Sequence, residues 1–248
     1  MKQVTVGEIE LSYLGAPLSE GPKPSIFYFA LSAKDSLTVD PYNQPISFID
    51  LNKFRVFSCD LPEHEESKSP YDAIAKWIER LSFGDDLLTH FFNQLNQSIA
   101  LLNQNGQIDL NQLGFMGLSR GAFVATHMAS RFNESIPVVG FSPLTLLSQV
   151  KESKELGFKD FHLDLPHLFP KLFNKKIRYY IGNRDSRVHT KACANFIIDL
   201  ADLAFEQGFK SAPIDLKIFP SIGYMGHGTP KSIFSEGATF MTEILSHD

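Results

Sequence analysis

Three side chains far apart in this 248-residue sequence, Ser119, Asp185 and His227, are of the types that together make an activated nucleophile. A serine hydroxyl attacks a carbonyl carbon poorly at neutral pH. It needs a base to take its proton and a carboxylate to hold that base in the right tautomer. Ser119 is the centre of Gly117-Leu118-Ser119-Arg120-Gly121, with an apolar run from Leu113 before it and the small, helix-favouring Ala122 to Ala125 after it. That order reads as strand, sharp turn, helix, and such a turn lifts the hydroxyl clear of a sheet. A Cβ at either flanking glycine would collide with a neighbouring strand or helix. Asp185 stands just past an apolar run at residues 177–182, and His227 lies between Gly226 and Gly228 after the last apolar run. The chemistry these three would perform is acyl transfer through a covalent serine ester, His227 acting as base and Asp185 orienting it.

Groups so remote in sequence meet only if the chain supplies a frame. Residues 25–31 are apolar at nearly every position, as expected of a strand buried on both faces of a parallel sheet. The apolar run before Ser119 has the look of a strand, 137–141 reads as a short buried strand, and 54–60, 177–182 and 214–219 read as further strands. Residues 4–13 alternate apolar and polar like one half-exposed strand. Helical spacing appears at 71–81 and 85–102, with Asn105-Gly106 as a stop, and again at 122–131, 191–205 and 230–245. This alternation predicts an α/β fold, a mostly parallel, doubly wound sheet forming one domain over residues 1–248. In such a sheet active groups collect at the carboxyl ends of the strands. Residues 144–176 read as an insertion over the sheet edge. Its Phe158, Phe161, Phe169 and Phe173 make either a lid and pocket wall or plain core packing.

The elbow at residues 117–121, the Gly-x-x-Asp-x-x-Val shape of Gly182, Asp185 and Val188, the Gly226-His227-Gly228 loop and Asp60-Leu61-Pro62-x-His64 together resemble the α/β-hydrolase fold superfamily over nearly the whole chain. The Ser-Arg-Gly ending of the elbow and Phe141-Ser142-Pro143-Leu144-Thr145 look like its dienelactone-hydrolase and prolyl-oligopeptidase branches. The resemblance implies a serine hydrolase of carboxylic esters, thioesters or peptide bonds, in the chain order Ser, Asp, His. Many members carry His-Gly after the third strand beside the oxyanion hole, where this chain has Phe29-Ala30-Leu31-Ser32. A backbone N–H donates whatever its side chain, so the hole is expected from the Arg120 N–H with that of Leu31 or Ser32.

A net charge of −5 with scattered Lys and Arg argues against nucleic acid as a partner. No apolar run is long enough to span a bilayer and residues 1–8 are too polar for a signal peptide, so the expected location is cytoplasmic. Cys59 and Cys193 read as free thiols, and His64 as a loop or substrate-side residue. Asp160, His162, Asp164 and His167 mimic a metal cluster without a ligand spacing, and neither a metal nor another cofactor is expected. The expected partner is a small-molecule or acyl substrate. Two other readings stay open: a ligand-binding relative without catalysis, and an acyltransferase using the same three residues. Oligomeric state and substrate identity have no signature in the sequence.

Overall fold

The structure, a computed structural model, describes residues 1–65, 67–160 and 162–247. Phe161, one of the four aromatic residues singled out in the insertion, lies outside the described residues.

The described residues form one eight-stranded sheet. Its strands are β1 Lys2–Val6, β2 Ile9–Leu14, β3 Ser25–Phe29, β4 Arg55–Ser58, β5 Leu113–Leu118, β6 Val138–Phe141, β7 Ile177–Gly182 and β8 Ile214–Phe219, in the spatial order β1-β2-β4-β3-β5-β6-β7-β8. β2 runs antiparallel to both neighbours, and every other pairing from β4 to β8 is parallel. Residues 4–13 are therefore two strands rather than one. The chain reverses at Gly7-Glu8, with Gly7 at φ 61° and Val6 paired to Ile9. The alternation holds on each side of the two-residue turn and only its phase shifts there, from Val4 and Val6 to Ile9, Leu11 and Tyr13, so the run reads as one strand unless that shift is counted.

The helices are α1 Ala33–Thr38, α2 Ala73–Ser82, α3 Leu87–Gln104, α4 Arg120–Ala129, α5 Lys151–Glu155, α6 Phe169–Leu172, α7 Thr190–Glu206 and α8 Lys231–His247. The strand period of two sorts the apolar residues of each central strand to opposite faces. Phe27, Phe57, Phe115 and Tyr179 enter a core with Phe92 of α3, Phe123 of α4 and Phe196 of α7. Ile26, Tyr28, Met116 and Tyr180 enter a second core with Phe234 and Met241 of α8. This is why β3 is buried at all five positions. Phe27 and Phe57 stack at 4.9 Å between β3 and β4. Burying each such ring contributes about 1.5–3 kcal/mol. Residues Gly121 to Ala129 of α4 are all buried, so the helix after Ser119 sits inside the molecule and holds the elbow firmly.

In the 144–176 segment Leu144, Leu147, Val150, Leu163, Leu165 and Leu172 are buried in the first core, with Phe158, Phe169 and Phe173 packed against it. Of the segment's described residues, members of α5 line the groove outside Ser119. Among the described residues no helix is long and apolar enough to cross a membrane.

Candidate active site

The elbow exists because β5, β3 and α4 come closer than side chains allow. A Cβ on Gly121 would lie 1.9 Å from the Phe29 carbonyl oxygen, and one on Gly117 would lie 2.2 Å from the Gly121 carbonyl. Without them α4 can leave the sheet directly from Ser119, which takes φ 56° and ψ −117°. A non-glycine residue held there is strained by about 1–3 kcal/mol and must be fixed by its surroundings. The Ser119 N–H donates to the Phe141 carbonyl of β6 at 2.8 Å, and its carbonyl accepts from the N–H groups of Ala122, Phe123 and Leu144.

Asp185 follows β7 and is 3% exposed. Its two carboxylate oxygens have separate tasks. Oδ1 accepts from the N–H groups of Arg187 at 2.9 Å and Val188 at 3.1 Å, closing the turn that leads into α7. Oδ2 faces His227 Nδ1 at 2.7 Å. A helix-side turn is an ordinary use of aspartate, and here it consumes one oxygen and leaves the other for the imidazole.

His227 comes from the loop after β8, which is tied to the Asp185 loop rather than left to itself. The Ser186 N–H and hydroxyl both donate to the Met225 carbonyl, at 3.0 and 3.1 Å. The Arg184 N–H donates to Ser221 Oγ, and the Ser221 N–H to Asn183 Oδ1. These cross-links set the imidazole between its companions, with Nε2 2.9 Å from Ser119 Oγ across 108 residues of sequence. A carboxylate only accepts, so Nδ1 carries the proton and Nε2 presents its lone pair to the serine hydroxyl.

Of the residues expected to supply oxyanion donors, Arg120 and Leu31 line the pocket together with Ser119. The Arg120 N–H opens α4 and has no acceptor among the described residues, as first-turn amides lack an intrahelical partner. Leu31 borders the pocket, its N–H sharing Ser36 Oγ with that of Ala30 at 3.3 and 3.0 Å. Ser32 is not in this lining. It is the N-cap of α1, bonded to the Asp35 N–H, and borders a separate cleft with Asp60 and His64. The early start of α1 draws it away.

The pocket over Ser119 holds about 300 Å³ and is walled by apolar groups, chiefly Leu31, Tyr42, Leu118, Tyr71, Ile222 and Phe234. It opens past Arg120 and His227 into a wider groove of about 920 Å³. No described residue of the 144–176 segment lines the inner pocket. His64 lies behind Arg120. Its Nδ1 bonds the Pro62 carbonyl at 2.8 Å, and its Nε2 meets Arg120 Nη1 at 3.0 Å. Burial, with the Arg120 cation beside it, pushes the His64 pKa down to about 4, so the ring is neutral and Nε2 accepts. Burial pushes the Cys59 thiol up, and it lies outside the pocket lining. His162 pairs with Asp160 at 2.7 Å and Asp86 at 3.1 Å, and no group of three His, Cys, Asp or Glu placed to hold a metal occurs among the described residues. The Arg120 side chain is the feature that sequence reasoning missed, because the elbow pattern leaves the residue after the serine unspecified.

No family model matches the chain, and no curated protein matches its sequence. Solved structures do match its shape. TT1662 from Thermus thermophilus superposes with a TM-score of 0.68 at 14% identity, covering 100% of this chain and 98% of that one. Esterase PE8 gives 0.63 at 15% identity over 94% and 97% of the two chains. Acetyl xylan esterase 1 from Thermoanaerobacterium sp. JW/SL YS485 gives 0.64 at 16% identity over 95% and 79%. Identities this low speak to architecture alone. With helices on both sides of a mostly parallel sheet and these full-length superpositions, the chain has the α/β-hydrolase fold.

Proposed function

We propose that this chain is a serine hydrolase that cleaves a carboxylic ester through an acyl-enzyme, with Ser119 as nucleophile, His227 as general base and acid, and Asp185 as the group that orients it. The observation that carries this reading is the continuous chain of hydrogen bonds from Ser119 Oγ to His227 Nε2 and from His227 Nδ1 to Asp185 Oδ2, at 2.9 and 2.7 Å. The Ser119 proton passes to Nε2 as Oγ bonds to the carbonyl carbon. The oxyanion that forms takes the Arg120 N–H, with the Leu31 N–H turning to it from its long bond to Ser36. Collapse of the tetrahedral species breaks the bond to the leaving alcohol, which receives the proton from Nε2. Water then releases the acid by the same steps, and Ser119 regains its proton.

An ester is favoured over a polypeptide by the confined, apolar pocket, which suits a short acyl group. Esterase PE8 and acetyl xylan esterase 1 share the architecture and are esterases by name, which agrees with this choice. Hydrolysis of ethyl butyrate by the whole chain, lost in Ser119→Ala, tests the reading. Turnover that survives Ser119→Ala would remove Ser119 from the reaction.

A further inference from the structure

Arg120 feels the Glu152 carboxylate but forms no ion pair of its own among the described residues. Its Nη1 donates to two neutral acceptors, His64 Nε2 at 3.0 Å and the Pro70 carbonyl at 2.7 Å. The carboxylates nearby are already engaged. Glu152, which borders the same groove, is held on both oxygens by Arg187 at 2.7 and 2.9 Å. Asp185 is taken up by His227 and by the Arg187 and Val188 amides. Anchoring through Nη1 fixes the guanidinium plane and leaves its Nε–Nη2 edge without an acceptor among the described residues.

That edge is a flat pair of parallel donors, the geometry that fits the two oxygens of a carboxylate. Arg120 stands where the inner pocket meets the outer groove, sharing the lining with Ser119 and His227. Burial, and after it the Arg187 cation, bring its pKa down to about 10. Glu152 is shared with Arg187, so two guanidinium cations face one carboxylate. A partly desolvated cation without a full ion pair is costly to hold, and a ligand that brings a carboxylate recovers part of that cost. Apart from this guanidinium the walls of the pocket are mainly apolar, so a neutral ester finds no use for it.

We propose that Arg120 is a specificity-determining residue that selects esters carrying a second, ionised carboxylate, gripped by its Nε–Nη2 edge while Ser119 attacks the ester carbonyl a few atoms away. This rests on the hydrolase reading above. The bond changes are those already given, and the second carboxylate is unaltered throughout.

The test compares two small esters of matched acyl length, monoethyl succinate and ethyl butyrate, with ethyl methyl succinate as the form whose extra carboxylate is masked. Hydrolysis at neutral pH is followed by acid release. Wild type is expected to favour monoethyl succinate in kcat/KM by tenfold or more over both neutral esters. Arg120→Gln is expected to bring that ratio to one or below, and Arg120→Lys to restore part of it. If Arg120 only braces the loop through His64 and Pro70, Arg120→Gln lowers all three rates alike and leaves the ratio unchanged, which overturns the proposal. A wild-type ratio near one overturns it too, while leaving the hydrolase reading intact. Free succinate is also expected to slow fluorophosphonate labelling of the wild-type chain more than butyrate does, an effect lost in Arg120→Gln. Equal protection by the two acids contradicts the proposal. Should no ester be turned over and no serine be labelled, both readings fall together.

Discussion

Replacing Asp185 by Asn isolates the orienting role of the carboxylate from its structural one, because the structure gives the two oxygens different partners. An asparagine that keeps its amide oxygen at the Oδ1 position still accepts from the Arg187 and Val188 N–H groups, so the turn into α7 is expected to hold. Its amide nitrogen then occupies the place of Oδ2, 2.7 Å from His227 Nδ1. A donor there requires Nδ1 to accept, which moves the ring proton to Nε2 and points it at Ser119 Oγ, 2.9 Å away. The base no longer has a lone pair to offer. The change of tautomer is worth about ten-thousandfold in kcat where the same constellation has been altered this way. That corresponds to about 5 kcal/mol of lost transition-state stabilisation. The assay is kcat on ethyl butyrate beside thermal melting of the same preparation. Loss of about four orders of magnitude at an unchanged melting temperature is the expected outcome. A folded Asp185→Asn chain that keeps activity within tenfold of wild type would refute the argument, since the imidazole would not depend on that carboxylate.

Two further expectations follow from the packing. Gly121→Ala places a Cβ 1.9 Å from a backbone oxygen of β3, which only a shift of α4 relieves. A cost of about 3 kcal/mol or more in urea unfolding is expected, and a change under about 1 kcal/mol would contradict the close approach. His64 and His127 are buried as neutral rings, with burial lowering their pKa values to about 4 and about 3. The unfolded chain binds those protons near pH 6.5 and the folded chain does not, so stability is expected to fall as pH drops from about 6.5 towards 4. His127→Gln, which keeps a donor for the Leu163 carbonyl, is expected to flatten part of that decline in pH-dependent urea melts. An unchanged slope would mean that His127 is not held neutral.

Much of this architecture was written locally in the chain. The central strands announce themselves because both faces are buried, leaving runs such as residues 26–31 between Ser25 and Ser32. The elbow is legible for a related reason: Gly117 and Gly121 are demanded by backbone contacts that the motif itself encodes. Asp185 and His227 could be placed because the loops after β7 and β8 end on the same rim of the sheet. Other features depend on contacts between distant segments. The hairpin at Gly7 shows only as a one-residue change of phase, from Val4 and Val6 to Ile9, Leu11 and Tyr13, which is easily read through as a single strand. Ser32 caps α1 through its Oγ and lies outside the pocket lining, a placement set by where α1 begins and by no local pattern. The pocket wall at Tyr42 and Tyr71 joins two loops whose approach no periodicity records. The anchoring of Arg120 by His64 and Pro70 spans at least fifty residues, beyond the reach of any local pattern.

The most direct measurement is reaction of the intact chain with a fluorophosphonate, followed by mapping of the modified peptide. Phosphonylation at Ser119 alone, abolished in Ser119→Ala and slowed at least a hundredfold in His227→Ala, is the outcome this account requires. A wild-type chain that stays unlabelled, or is labelled at the same rate without the imidazole, would contradict it.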